Sequence, residues 1–173
     1  MVKRALRAAR SALLALALLF AGVAAGLALH LALATGDTVF SWKRPDNLGV
    51  KQGRLAPPKT TPNCVSSQAD PADAEHYIAP IAFKGTAAEA IAAARKAVAA
   101  MQGATIVAQE ERYLYAEFRT RLMGFVDDVE FAVDEKPGLL HVRSASRLGR
   151  RDFGVNRARV EAIRARIAGR TGA

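Results

Sequence analysis

The sequence predicts an α+β domain behind an N-terminal transmembrane helix. Three observations predict it. One long uncharged apolar stretch lies near the start, two later segments carry apolar residues at helical spacing, and between those two the apolar and polar residues alternate. Taken in order, the segments give β-α-β-β-β-β-α, a small antiparallel sheet with two helices covering one face.

Ser11 to Leu29 is 19 residues, all Ala, Leu, Val, Gly or Phe after the serine. As a helix it would be about 28 Å long, close to the ~30 Å hydrocarbon core of a bilayer. Lys3, Arg4, Arg7 and Arg10 precede it, whereas Asp37 comes before Lys43 and Arg44 on the far side. The positive-inside rule then places the N-terminus in the cytoplasm and the rest beyond a bacterial inner membrane, as a single-pass periplasmic-side protein held by residues 11–33. The alternative is a signal peptide cleaved near Ala34, after the small-x-small set Ala32-Leu33-Ala34, but the apolar run exceeds the ~7–15 residues of a usual signal core. Residues 1–34 are thus the anchor. Residues 35–61, with Pro45, Pro57 and Pro58, read as an extended linker, and 62–171 as the globular domain. Phe40 and Trp42 suit the membrane interface or a packing role on the domain.

Within the domain, Tyr77 to Phe83 reads as a short first strand, confined to an edge by Pro80. Thr86-Ala87-Ala88-Glu89 is a capping box, followed by Ile91, Ala94, Val98 and Met101 at helical spacing and by Gly103 as the stop. Strands follow at Ala104–Gln109, Tyr113–Leu122, Phe125–Val133 and Leu139–Ser146, with Lys136-Pro137-Gly138 suited to a type II turn. Leu114, Ala116, Phe118 and Leu122 share one face of the second of these. Asn156 is expected to cap a last helix whose Val160, Ile163 and Ile167 form one stripe.

The net charge of +9 includes +4 from the first ten residues. Beyond a membrane, the anions that such a domain meets are lipid headgroups, polysaccharide phosphates and acidic proteins, so nucleic acid is not expected as a partner. Cys64 is the only cysteine, which excludes a disulfide scaffold. Preceded by Thr61-Pro62-Asn63, it does not read as a lipid acceptor. It is either a packed side chain or a free thiol.

Two regions could carry chemistry. Alternation gathers Glu117, Arg119, Arg121, Asp128, Glu130, His141 and Arg143 on one sheet face. Cross-strand ion pairs are the plain reading of such a face, and a polar platform for a ligand or partner is the functional one. Asp127 and Asp128 are adjacent and so point to opposite faces, which leaves Asp128, Glu130 and His141 as the set to consider for acid–base work. No metal and no cofactor is expected, since two carboxylates and one histidine do not specify a site. The second region is Arg143–Arg170, with nine Arg, no Lys and only Asp152 and Glu161 as acids. Arg143, Ser144, Ser146, Arg147, Arg150, Arg151, Asn156 and Arg157 occupy or border the approach to the last helix. They form either an anion-binding lip, exploiting arginine forks beside a helix start, or the partners of Asp127, Asp128, Glu130 and Asp152.

Several stretches in fixed order resemble the family known as domain of unknown function 1499: Pro62-Asn63-Cys64-Val65-Ser66-Ser67, Ala116–Arg121, Phe125–Phe131, His141–Gly149 and Asp152–Arg157. The resemblance covers about residues 62–168. It implies an exported or membrane-associated bacterial protein with relatives in plant plastids, and it transfers no catalytic residue. Many bacterial members look like lipoproteins, and this chain departs from them in having an apolar helix instead. The polar members of the motifs are Cys64, Arg119, Asp127, Asp128, Arg143, Ser144, Ser146, Arg147, Asp152 and Asn156.

The expected function is that of a non-enzymatic envelope domain, tethered by one helix, which binds an anionic ligand or a protein partner through the arginine-rich lip. The alternatives are a hydrolase or transferase using the carboxylate and histidine set on the sheet, and a structural or assembly protein of the envelope.

Overall fold

The computed structural model describes residues 13–14, 16–24, 26–27, 43–134 and 138–169. They belong to two compact units, Met1–Val39 and Phe40–Ala173. In the first, the described residues between 13 and 27 are helical (α1) and expose Leu13, Leu14, Leu16, Leu18, Leu19, Phe20, Val23 and Leu27. Among the described residues no helix is long and apolar enough to cross a membrane. The rest of the expected span, the Ala32–Ala34 cleavage site, Phe40 and Trp42 lie outside the described residues, as do Lys136 and Pro137.

The second unit runs β1 (Cys64–Ser66), β2 (Ile81–Ala82), α2 (Ala87–Ala99), β3 (Ala104–Gln109), β4 (Tyr113–Arg119), β5 (Val126–Val133), β6 (Leu139–Ser146) and α3 (Val155–Ala168). The sheet order is β1-β6-β5-β4-β3, every pairing is antiparallel, and β2 pairs with the part of β6 that β1 leaves open. The predicted β-α-β-β-β-β-α succession is therefore present from β2 onward, with β1 added before it.

Local chemistry accounts for the elements. Thr86 Oγ1 accepts from the Glu89 amide at 3.2 Å while the Glu89 carboxylate accepts from the Thr86 amide at 2.7 Å, so the capping box closes in both directions. Helix α2 buries Ala90, Ile91, Ala94, Ala97 and Val98, and α3 buries Val160, Ile163 and Ile167. Both stripes meet Leu114, Ala116, Phe118, Val129, Phe131, Leu140 and Val142 from the sheet. Each fully buried large side chain there stabilises the fold by about 1.5–3 kcal/mol.

Four expected boundaries change. The strand over Tyr77–Phe83 shrinks to Ile81–Ala82 because Pro80 offers no amide to a ladder. Helix α2 stops at Ala99, before Gly103, which instead is the turn residue leading into β3, with φ at +78°, and stands against the Arg119 carbonyl. Strand β4 ends at Arg119, and Leu122 stands 86% exposed in the turn that follows. The described part of the expected linker, 43–61, belongs to the fold. Leu55 is buried, and its amide donates to Gln68 Oε1 at 2.8 Å.

Candidate functional site

Each side of the sheet carries a buried polar network, and the two are kept apart by the alternation of the strands. On the face away from the helices, β4 contributes Tyr113, Tyr115 and Glu117, β5 contributes Asp128 and Glu130, and β6 contributes His141 and Arg143. The register sets Glu130 opposite Arg143, and Asp128 opposite the small Ala145. Arg147, just past β6, fills the space above Ala145. Its guanidinium donates to Asp128 Oδ1 at 2.7 Å, Asp128 Oδ2 at 3.0 Å and Glu117 Oε1 at 2.6 Å. The Tyr115 hydroxyl donates to Asp128 Oδ1 at 2.6 Å, and the Tyr113 hydroxyl donates to Glu130 Oε1 at 2.9 Å. Arg143 Nη1 donates to Glu130 Oε2 at 3.3 Å.

The 43–59 segment lies over this network. Arg44 Nη2 donates to Glu117 at 2.7 Å, the Gly49 amide donates to Glu130 at 2.7 Å, and Lys59 Nζ donates to the Ser146 carbonyl at 2.5 Å. Buried carboxylates require such donors, which is why proline-containing chain that looked like linker is held down. Burial by itself would raise the Glu117 carboxyl, but the bonds from Arg147, Arg44 and Tyr115 prevail and bring it down to about 2. The phenols of Tyr113 and Tyr115 are pushed well above their ordinary range, first by burial and then by the carboxylates beside them.

On the helix side, Arg159 of α3 donates to Asp127 Oδ2, to Asn156 Oδ1 at 2.6 Å and to Ser144 Oγ at 3.1 Å. Its guanidinium also stacks 4.7 Å from the centre of the Phe118 ring. Asn156 Nδ2 donates to the Asn63 carbonyl at 3.0 Å and to Ser146 Oγ at 2.9 Å. The expectation that Asn156 caps α3 is corrected here. The cap position is Gly154, in the left-handed region at φ +81°, and Asn156 lies fully buried in the first turn. Asp152 serves the orphan amides instead, accepting from Gly154 N at 3.1 Å and from Asn156 N at 2.7 Å.

The eight residues read as a lip are thus distributed over several places. Arg143 and Arg147 lie on one face, and the Ser144, Ser146 and Asn156 side chains on the other. Arg157 Nη2 donates to the Ala74 and Glu75 carbonyls at 3.1 Å each, and Arg150 and Arg151 are exposed on the loop. Of the polar face, Glu117, Asp128, Glu130 and His141 do share one side, whereas Arg119 is exposed at the end of β4 and Arg121 is exposed beyond it. His141 does not join the two carboxylates. Its Nδ1 meets Ser67 Oγ at 3.1 Å and its Nε2 meets Asp134 at 3.5 Å. Ser67 is buried and its hydroxyl accepts the Val142 amide at 2.9 Å, so this serine–histidine–aspartate chain ties the segment after β1 to β6. Cys64 is 1% exposed, and burial raises its thiol above the ordinary range. Among the described residues no three of His, Cys, Asp and Glu are grouped so as to hold a metal ion.

Sequence reasoning missed Tyr113 and Tyr115, although period-two spacing places them with Glu117. It also missed Arg159, which lies three residues beyond Asn156 and so on the same helix side. Nothing local signalled Arg44, whose partner is 73 residues away.

Where β6 leads into α3, a cleft of about 330 Å³ opens at the end of the sheet. Phe125, Val126, Leu148, Phe153 and Val155 give it apolar walls, and Arg151 lines it as well. The two carboxylates beside it are engaged, Asp127 by Arg159 and Asp152 by backbone amides. No curated protein and no solved structure matches the chain. A family model does match, over residues 54–167, and its span holds all the strands, α2, all but the last residue of α3, and both networks except for the donors Arg44 and Gly49. The chain therefore belongs to the family described as protein of unknown function, DUF1499.

Proposed function

We propose that the chain is a membrane-held, periplasmic-side binding domain whose ligand has an acidic head and an apolar body. The observation that carries this reading is the cleft between the β4–β5 turn and the β6–α3 loop. Its walls suit a hydrocarbon body, and Arg151, beside Arg150, supplies a cation for the head. Of the other arginines of the expected lip, Arg143 and Arg147 are taken up by the carboxylates of the sheet face and Arg157 by the Ala74 and Glu75 carbonyls, so the anion-binding role narrows to this loop. The exposed leucines of α1 support the tether through residues 11–33.

The test is native mass spectrometry of the full chain released from detergent micelles, with dodecanoate added. One saturable adduct is expected in the native chain, reduced about tenfold in population by Arg151→Glu. Absence of an adduct, or an adduct indifferent to Arg151→Glu, overturns the reading. Alkaline extraction of membranes tests the tether separately, since a spanning chain stays in the pellet.

A further inference from the structure

We propose that the end of the sheet formed by the β4–β5 turn and the β6–α3 loop docks on an anionic lipid surface. It shares Arg151, Phe153 and Val155 with the ligand cleft but goes beyond it, because Arg121, Leu122, Met123 and Arg150 lie outside the cleft lining and the docking holds whether or not the cleft is filled. It is also independent of the N-terminal tether.

Five large apolar side chains are exposed at this end. Leu122 is 86% exposed, Met123 45%, Phe125 37%, Phe153 96% and Val155 49%. Phe153 also adopts a φ of +54°, which is strained for a residue with a Cβ, and its ring gains no packing in return. Within the second unit, a grouping of this kind at one place marks a contact surface. The two loops face each other, since Phe125 and Phe153 line one hollow, and Arg121 and Val155 line a second.

Charge selects the occupant. Arg121, Arg150 and Arg151 are exposed around the apolar group and take part in no ion pair among the described residues. The nearby acids offset them only in part, because Asp127 is neutralised by Arg159, and Asp152, bonded to the amides of Gly154 and Asn156, brings a single negative charge against the arginines. Apolar side chains at the centre with arginines around them match acyl chains below a layer of phosphates. An uncharged apolar partner would use the centre and leave the cations without a counterpart.

The experiment uses the full chain in vesicles of phosphatidylcholine with added phosphatidylglycerol, and in phosphatidylcholine alone. Leu122→Cys carries an environment-sensitive fluorophore, and buried Cys64 stays unlabelled. Glu110→Cys, in the β3–β4 turn at the opposite end of β4, carries the same fluorophore as the control. In the anionic vesicles the Leu122 probe should shift to the blue and be quenched several-fold more by nitroxide lipids than the Glu110 probe. Replacing Arg121, Arg150 and Arg151 by Gln should cut that quenching by about an order of magnitude, and Phe153→Ser should reduce it with the fold intact.

Equal quenching at both positions overturns the proposal, as does Leu122 quenching that is the same in pure phosphatidylcholine. A blue shift that rises with protein concentration and is untouched by nitroxide lipids would mean a second copy on the patch, and would overturn it too. The tether is read apart from this. A chain removed by alkali but quenched at Leu122 refutes the tether and supports the docking surface, and a chain that resists alkali but is unquenched does the reverse.

Discussion

Asp127 and Asp128 are neighbours in β5, yet each belongs to a different network on a different side of the sheet. Asp127 pairs with Arg159 of α3, and Asp128 pairs with Arg147 and Tyr115 on the face away from the helices. A strand turns successive side chains to opposite faces, so one dipeptide fastens a helix on one side and, through Arg147 and Glu117, the 43–59 segment on the other.

Arg147 is the centre of the second arrangement, and its side chain is only 5% exposed. Arg147→Ala would strand Asp128 and Glu117 without their shared cation, and breaking a buried pair in this way costs about 3–5 kcal/mol. Arg150→Ala, on the exposed loop, should change stability by less than about 0.5 kcal/mol. Urea unfolding of the two variants checks the contrast, and equal midpoints would mean that the network carries no stability.

How much of this was legible depends on the distance between partners. Alternation set Leu114, Ala116 and Phe118 on the core face and Glu117, Asp128 and Glu130 on the other, because strand periodicity is local, but it ran past the end of β4 to Arg121 and Leu122. The capping box at Thr86 was equally local. Asn156 looked like a cap because its type is common there, whereas Asp152, four residues earlier, had the reach and Asn156 was drawn inward by Asn63 and Ser146. The lip failed to assemble for a related reason. A count of nine arginines says nothing of the acids they meet, and those acids lie on other strands. Arg44 and Lys59 were not recognisable at all, since chain rich in proline has no period to show which face it covers.

Asn156 offers a test of the helix-side network. Its amide donates to Asn63 O and Ser146 Oγ while its carbonyl accepts from Ser144 Oγ and Arg159. Asn156→Ala should cost about 2–3 kcal/mol, since buried partners are left unsatisfied. Asn156→Asp, closer in shape, should cost at least as much, because a carboxylate would face the Asn63 carbonyl with nothing to donate. Thermal melts of both variants compare them, and an Asp variant as stable as the native chain would refute the assigned amide orientation.

Acid should loosen the domain in a defined window. Glu117 is held at about 2 against an ordinary 4.5, so its contribution is complete above pH 4.5 and is lost as pH falls toward 2. Complete loss is worth roughly 3 kcal/mol at most. His76 has the opposite sense. Burial lowers it, but the bond to Asp73 prevails and raises it above 6.5, so its contribution is present below pH 6.5 and fades as pH rises past its folded value. Unfolding free energy measured across this range should therefore plateau between about pH 4.5 and 6.5. Glu117→Gln should flatten the acid limb, and an unchanged acid limb in that variant would exclude Glu117 as its source.

Cys64 gives a readout of opening for the whole sheet. It pairs with Ala145 at the β1 edge, is 1% exposed, and has a thiol raised by burial, so two separate barriers oppose alkylation. Iodoacetamide should leave the native chain unmodified at pH 8 on a timescale that labels a free cysteine completely. In Arg147→Ala the rate should rise exponentially with the lost stability, by two to three orders of magnitude for about 3–4 kcal/mol, if labelling follows global opening. Mass spectrometry of both chains over time measures the ratio. Fast labelling of the native chain would mean that β1 separates from β6 on its own, and that Cys64 is an accessible thiol.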